Sequence, residues 1–331
     1  MMATIGHYYI KSCISAATFK GVDTKSLMMM AGIAPSAMKN NQRITDHCMG
    51  LLLNSLILHT QDAFFGFSKT PVTPKFYPML LKSVALSKNI GQAIETVQTA
   101  LSLAGCRLEI TDNNENISLT LTHQHDDPAH FLQEYLMVFV HRLLCWLANK
   151  TIPLTGASVV YEPEDYQTEF ALLFRCNTLT NQAQNAIFFD AHILDWPVLQ
   201  EPDNIYRIID QFPLIVLRFP ESDNALDQRV YRLIKRYFNL HNNLPDANYI
   251  ADALNMSSAT LRRQLGGIDT SFSQLKTEFR QEQAMRLLRH PQNTIEAIAT
   301  QLDYSEARAF SRVFKQWTEL TPSQYRQLFL P

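Results

Sequence analysis

Two stretches of this chain repeat one pattern in register: Ile250-Ala251-x-x-Leu254-Asn255-Met256-Ser257 and, 48 residues on, Ile298-Ala299-x-x-Leu302-Asp303-Tyr304-Ser305. Each copy sets two apolar residues and a Leu one helical turn later, then Asn or Asp, a hydrophobe and Ser. Asn and Asp are the non-glycine residues most able to take positive φ, and Ser is a strong helix N-cap. Each copy therefore predicts a tight turn between two helices, and the duplication predicts two such bihelical units.

The helix after each turn is duplicated too. In the first copy Leu261 and Leu265 point inward, while Ala259, Arg262 and Arg263 share the outer side. In the second, Phe310, Val313, Phe314 and Trp317 recur at i, i+3, i+4 and i+7, a buried face. Ser305, Arg308, Arg312 and Lys315 lie on another side, with Ala307 and Ser311 nearby and only Glu306 to balance the cations. A basic amphipathic helix taken alone is usually a solvated surface. Surface charge does not explain turn chemistry and basic faces that are both duplicated. A helix-turn-helix needs these parts: a bracing helix, a fixed crossing angle, and a second helix whose N-terminal half enters the major groove. Arginine can reach guanine O6 and N7 bidentately, and Lys, Arg or a Ser at a helix start can hold phosphates. The candidate DNA-binding residues are Ser257, Ala259, Arg262, Arg263, Ser305, Ala307, Arg308, Ser311, Arg312 and Lys315.

Charge agrees with that placement. Residues 1–224 carry 15 Lys+Arg against 21 Asp+Glu, a net −6, and residues 225–331 carry 14 against 10, a net +4. The 331 residues suffice for two domains, and 46% apolar with 18% charged residues is a globular composition. No apolar run approaches the roughly 18–20 residues that span a bilayer. Lys11 interrupts the N-terminal apolar stretch, so no signal peptide is read. Five scattered cysteines without metal-type spacing suggest reduced core thiols in a cytoplasmic protein.

The last hundred residues read as helix throughout. The first 215 mix types. KSLMMMAG, DHCMGLLLNSLILHT, FYPMLLKSVALS and IGQAIETVQTALSL have helical spacing. CRLEITD and NISLTLTH alternate around NNEN and predict a hairpin. AHFLQEYLMVFVHRLLCWLANK predicts the longest helix, GASVVYE and NAIFFD short strands, and PEDYQTEFALLF a helix-compatible segment. Two prolines and a polar tail in FPLIVLRFPESDN mark a linker. The expected fold is an α+β N-terminal domain over residues 1–215, a linker over 216–227, and an all-α domain over 228–331 with two helix-turn-helix units joined by a long helix.

The stretches IADALNMSSATLRRQL, TSFSQLKTEFRQEQAMRLL and IEAIATQLDYSEARAFSRVFKQWTELTPSQYR resemble the DNA-binding domain of the AraC/XylS family, over roughly residues 228–329. The connecting helix of that family would fall at Phe272–Arg289. The most specific part is A-x-x-L-x-Y-S-E-x-x-x-F-S-R-x-F-K-x-W, with T-P-S-x-Y-R after it. The family usually places Gly in each turn and after the first recognition helix, where this chain has Asn255, Asp303 and Asp269. Gly266-Gly267 replaces a more often basic or small pair and is expected to shorten the first recognition helix. Residues 10–210 resemble the N-terminal domain of members similar to ornithine-utilisation regulators, chiefly through Leu80–Leu121 and NAIFFDAHILDWPV. The resemblance implies a cytoplasmic, sequence-specific transcription activator with duplex DNA and RNA polymerase as partners. It further implies a small-molecule effector, a sensing and oligomerisation module able to form a homodimer, and no cofactor, metal or membrane.

Two other readings of the residues stay open. His123-x-His125-Asp126-Asp127 with His130 has metal-ligand residue types and would suit a metal-dependent enzyme, although His and Asp also suit a turn and helix cap. The basic helices could instead dock an acidic protein. Phe131, Tyr135, Met137, Phe139, His141 and Trp146 could wall an effector cavity or simply pack the core.

Overall fold

The computed structural model describes residues 4–38, 43–112, 116–162, 173–200, 212–213, 225–268 and 270–329. The hairpin-turn residues 113–115, residues 163–172 of the helix-compatible segment, residues 216–224 of the expected linker and Asp269 lie outside the described residues. The chain divides into two compact units, one formed by residues 5–24 and 49–221, the other by 1–4, 25–48 and 222–331.

In the first unit α1 (His7–Phe19), α3 (Asp46–Thr60, from Met49 onward), α4 (Phe76–Val84), α5 (Ile90–Leu103) and α6 (Phe131–Leu147) accompany a five-stranded sheet; α2 (Thr24–Met30) leads into the other unit. The strands are β1 (Cys106–Asp112), β2 (Asn116–His123), β3 (Gly156–Ser158), β4 (Thr178–Leu179) and β5 (Ala186–Asp190), in the order β1-β2-β5-β3-β4. β1 and β2 form the expected hairpin, in a register that sets Leu108 opposite Leu121. Within this sheet only β3 and β4 run parallel. The sequence boundaries of the two hairpin strands hold residue for residue, because period-2 alternation ends sharply at both.

Helix α6 is the keel of this unit. Every residue from Phe131 to Leu147 except Trp146 is buried. Phe131, Tyr135 and Phe139 stack along one side of it, with Phe65 edge-on to Tyr135 and Tyr77 edge-on to Phe139. Of the residues named as cavity candidates, Phe131, Tyr135, Met137, Phe139 and His141 are buried and Trp146 is half-buried. His141 Nε2 lies 2.9 Å from the Ile152 carbonyl, and burial drives its pKa down to about 3, the neighbouring Arg142 adding to the shift. The fully buried Asp62 organises residues 62–72 by accepting from the amides of Phe64, Gly66, Ser68 and Val72 and the Ser68 hydroxyl.

The second unit is built on helices: α7 (Leu226–His241), α8 (Ala247–Ala253), α9 (Ser258–Gly266), α10 (Phe272–Leu288), α11 (Ile295–Gln301), α12 (Ala307–Thr318) and α13 (Pro322–Gln327). The long α10 is the expected connector, ending one residue short of Arg289. It is buried on more than one side through Leu275, Phe279, Ala284, Met285 and Leu288, so no single apolar stripe marks it. Tyr231 and Phe238 of α7 meet Phe279 edge-on.

Residues 25–48, early in the chain, complete this core. Leu27 of α2, Ala31 and Ile33 are buried, and the Met30 carbonyl accepts from Tyr325 Oη at 2.8 Å and from Arg289. Gly32 sits at φ +75° with the Met285 sulfur 2.2 Å from where a Cβ would stand. Any side chain there meets both backbone strain and a neighbour that must move. Among the described residues no helix is long and apolar enough to cross a membrane.

Candidate nucleic-acid interface

The first bihelical unit is α8 and α9. Asp246 caps α8 by accepting from the Tyr249 amide at 2.8 Å. The chain turns at Asn255, whose φ of 56° is the left-handed conformation expected where the family has Gly. The Met256 amide then closes back on the Ala251 carbonyl at 3.0 Å. Ser257 is the N-cap of α9, accepting from the Thr260 amide at 3.1 Å. Leu261 and Leu265 are buried, and Ala259, Arg262 and Arg263 are exposed. Helix α9 ends at Gly266, capped by Gly267.

The second unit, α11 and α12, repeats this with one difference. Thr294 caps α11 through the Ala297 amide at 3.1 Å, Asp303 turns at φ 63°, and the Tyr304 amide meets the Ala299 carbonyl at 2.9 Å. The expectation that Ser305 caps the second helix is corrected. Helix α12 begins at Ala307, its N-cap is Glu306 in extended backbone, and no side chain makes the capping bond. The reason is one extra residue in the turn. Turn residues repeat at 48 (Asn255 to Asp303), but the buried anchors repeat at 49 (Leu261 to Phe310, Leu265 to Phe314). Ser305 is exposed just upstream of the helix start.

Aligned on their anchors, the two helices present matched outer positions: Ala259 with Arg308, Arg262 with Ser311, Arg263 with Arg312, and Gly266 with Lys315. Arg308, Arg312 and Lys315 are exposed, Ser311 and Ala307 half-buried. Among the described residues no carboxylate lies within ion-pair distance of Arg262, Arg263, Arg308, Arg312 or Lys315. Their guanidinium and ammonium groups are therefore not neutralised from within the fold, which leaves them for an external anion. Phe310 and Phe314 are fully buried, while Val313 and Trp317, expected to point inward, are only half-buried at the rim.

Helix α10 holds the second turn directly. Arg280 donates to the Leu302 carbonyl at 2.8 Å and pairs with the Asp303 carboxylate at 3.1 Å, its guanidinium 5.1 Å from the Tyr304 ring centre. Lys276 adds a second pair to Asp303 at 2.9 Å. Behind α12, Thr321 and Gln324 form a reciprocal capping box on α13, and Tyr325 meets Phe314 edge-on. Sequence reasoning misses these positioning residues because Lys276 and Arg280 look like ordinary charges on a long amphipathic helix.

It also misses a second cationic surface. Arg229, Arg232, Lys235 and Arg236 line the outer side of α7, all exposed. Their spacing is visible in LDQRVYRLIKRYFNL, where the apolar face carries the stronger periodic signal.

The histidine cluster is engaged locally. Asp127 accepts from the Gln133 amide at 2.9 Å in the first turn of α6 and lies 3.6 Å from His123, while His125 Nε2 lies 2.8 Å from the Ala104 carbonyl. His130 enters α6 at φ 56° with its ring stacked 3.8 Å from that of Tyr161. Among the described residues no group of three His, Cys, Asp or Glu is arranged to hold a metal ion. Burial raises the Cys48 thiol to about 11 and the Cys106 thiol to about 12, which keeps both protonated and inert near neutrality.

Comparison with known proteins completes these observations. Residues 21–198 match the family described as the arabinose-binding domain of AraC transcription regulators, and residues 250–328 match a helix-turn-helix domain family. The chain is 22% identical to the ornithine utilization regulator of Pseudomonas aeruginosa, covering 74% of this chain and 73% of that protein. It is 28% identical to the urease operon transcriptional activator of Escherichia coli, over 59% of this chain and 63% of that one. The HTH-type regulator VirS of Mycobacterium tuberculosis is 37% identical over 32% of this chain and 30% of its own length. Among solved structures, the regulator CdpR of Pseudomonas aeruginosa covers 87% of this chain and is itself covered in full, at 15% identity and a TM-score of 0.31.

Proposed function

Because the chain belongs to the AraC family of transcription regulators, with a helix-turn-helix DNA-binding domain and an N-terminal ligand-binding domain, we propose that it is a transcription activator gated by a small molecule. Residues 228–331 read two consecutive major-groove segments, and residues 1–215 bind the effector and dimerise. The observation that carries the DNA reading is the pair of exposed arginine-bearing helices, α9 and α12, each set by the same left-handed turn and neither neutralised by a carboxylate among the described residues. Arg262, Arg263, Arg308 and Arg312 face bases or the adjacent phosphates. Lys315, Ser257 and Ser305 hold phosphates, with Ala259, Ala307 and Ser311 as the small residues that let the backbone approach. The activator role is supported by the likeness to the urease operon activator, and it makes RNA polymerase the second partner. Work is expected in the cytoplasm, where the DNA is.

Mapping bound sites and footprinting one of them tests this. Protection should cover two major-groove segments about one helical turn, roughly 10 base pairs, apart on one face of the duplex. An effector should change occupancy or transcript level at the mapped promoters. Protection of a single segment would contradict the paired-reader account, and a transcript that falls on binding would contradict the activator role.

A further inference from the structure

The outer face of α7 is not part of either recognition helix, yet it carries a built groove. Its inner residues Val230, Tyr231, Ile234 and Phe238 are buried in the core of the unit. On the opposite side Arg229, Arg232, Leu233, Arg236 and Leu240 recur at i, i+3, i+4, i+7 and i+11, with Lys235 beside them. This stripe and the C-terminal end of α8 enclose an open groove of about 770 Å³. The rim is cationic and the floor apolar: Leu233, Leu240 and Leu254 with Ala253. Among the described residues no acidic side chain lines it. Arg229, Lys235 and Arg236 have no carboxylate partner among the described residues.

We propose that this groove docks an acidic amphipathic helix from a protein partner. Arg229, Lys235 and Arg236 are exposed along one side of the helix with no carboxylate partner among the described residues, which leaves them open to an external anion. Exposed Leu is ordinary when single, but Leu240 is 69% exposed and continuous with Leu233 and Leu254 along the groove. Duplex phosphates would satisfy the cations and leave those leucines wet. A helix with a leucine stripe flanked by carboxylates satisfies both, since side chains at i, i+3, i+4 and i+7 repeat at the spacing of the groove itself. The rim cations steer the encounter, and the apolar floor supplies the anchor pockets.

The test uses the full-length protein and three fluorescent probes: a synthetic helical peptide with Leu at i, i+3, i+4 and i+7 flanked by Glu, a peptide of the same composition scrambled to break the stripe, and a random-sequence duplex. The patterned peptide should bind about tenfold tighter than the scrambled one. Lys235→Gln/Arg236→Gln should erase most of that difference, and Leu240→Ser should weaken the patterned peptide several-fold while leaving duplex affinity unchanged. Lys235→Arg/Arg236→Lys should retain it. Equal binding of the two peptides would overturn the proposal. So would a loss of duplex affinity in Leu240→Ser or in the Gln pair that matches the loss for peptide, because the groove would then be tracking phosphates. Failure of the peptide arm leaves specific-site binding through α9 and α12 intact, so the two readings fail separately.

Discussion

The two bihelical units share a turn but differ in how that turn is held. At α8–α9 the support is local: the Ser257 cap, its hydroxyl contact with Thr260, and Ser258 donating to Asn248 at 2.5 Å. At α11–α12 the helix start has no side-chain cap, and the support comes from α10 through Arg280 and Lys276. The anchors differ as well, two leucines in the first helix against Phe310 and Phe314 backed by Tyr325 in the second. The turn of the second unit is therefore tied to α10, while the first unit packs on α7, with Tyr249 edge-on to Tyr237, and its turn is held by its own caps.

Substitutions that attack the supports should separate the units in a fixed order. Phe314→Ala removes a fully buried ring shared with Phe310, Trp317 and Tyr325, and should cost about 3–5 kcal/mol. Hydrogen exchange of α11–α13 amides in urea would register it, with α9 amides far less affected. Arg280→Ala should cost about 1.5 kcal/mol by leaving the Leu302 carbonyl without its side-chain donor and the Asp303 carboxylate to Lys276 alone. Ser257→Ala, its counterpart in the first unit, should cost about 1 kcal/mol and be felt only in α9. If Arg280→Ala loosened both units equally, the asymmetry would be wrong.

The turns themselves give a test of opposite sign. Asn255→Gly relieves a left-handed non-glycine residue and should stabilise the first unit by about 0.5–1 kcal/mol. Asp303→Gly relieves the same strain but deletes the carboxylate held by Lys276 and Arg280, so its gain should vanish or reverse. Thermal melts of the two variants side by side would decide it. Least of all, Gly266→Ala points into open space at the end of α9 and should add about 0.5 kcal/mol of helix stability.

Much of this is legible in the sequence, for physical reasons. The hairpin comes from period-2 alternation, the turns from Asn and Asp at equivalent positions, and α10 from the family resemblance, since no single apolar stripe marks it. Ser305 reads as a cap because Ser, Asp and Glu all suit helix starts, and the 48-residue turn repeat hides the 49-residue anchor repeat. The offset from Leu261 to Phe310 exposes it. The joining of residues 25–48 to the second unit has no local signal, since a contact such as Tyr325 to Met30 links residues nearly three hundred positions apart. The groove on α7 has one, in the spacing of its cations, but the buried face of the same helix masks it.

The central claim is that α9 and α12 offer their arginines to duplex grooves, and Arg308 is its most exposed commitment. Affinity should be measured for the wild type and Arg308→Ala on a mapped site, against every single-base variant of that site and across a salt series. The account predicts a loss of about 1–3 kcal/mol concentrated at one base pair, where the variant no longer discriminates. Lys315→Ala should instead weaken all sequences alike and reduce the salt slope by about one phosphate contact. Unchanged affinity and unchanged base preference in Arg308→Ala would contradict it.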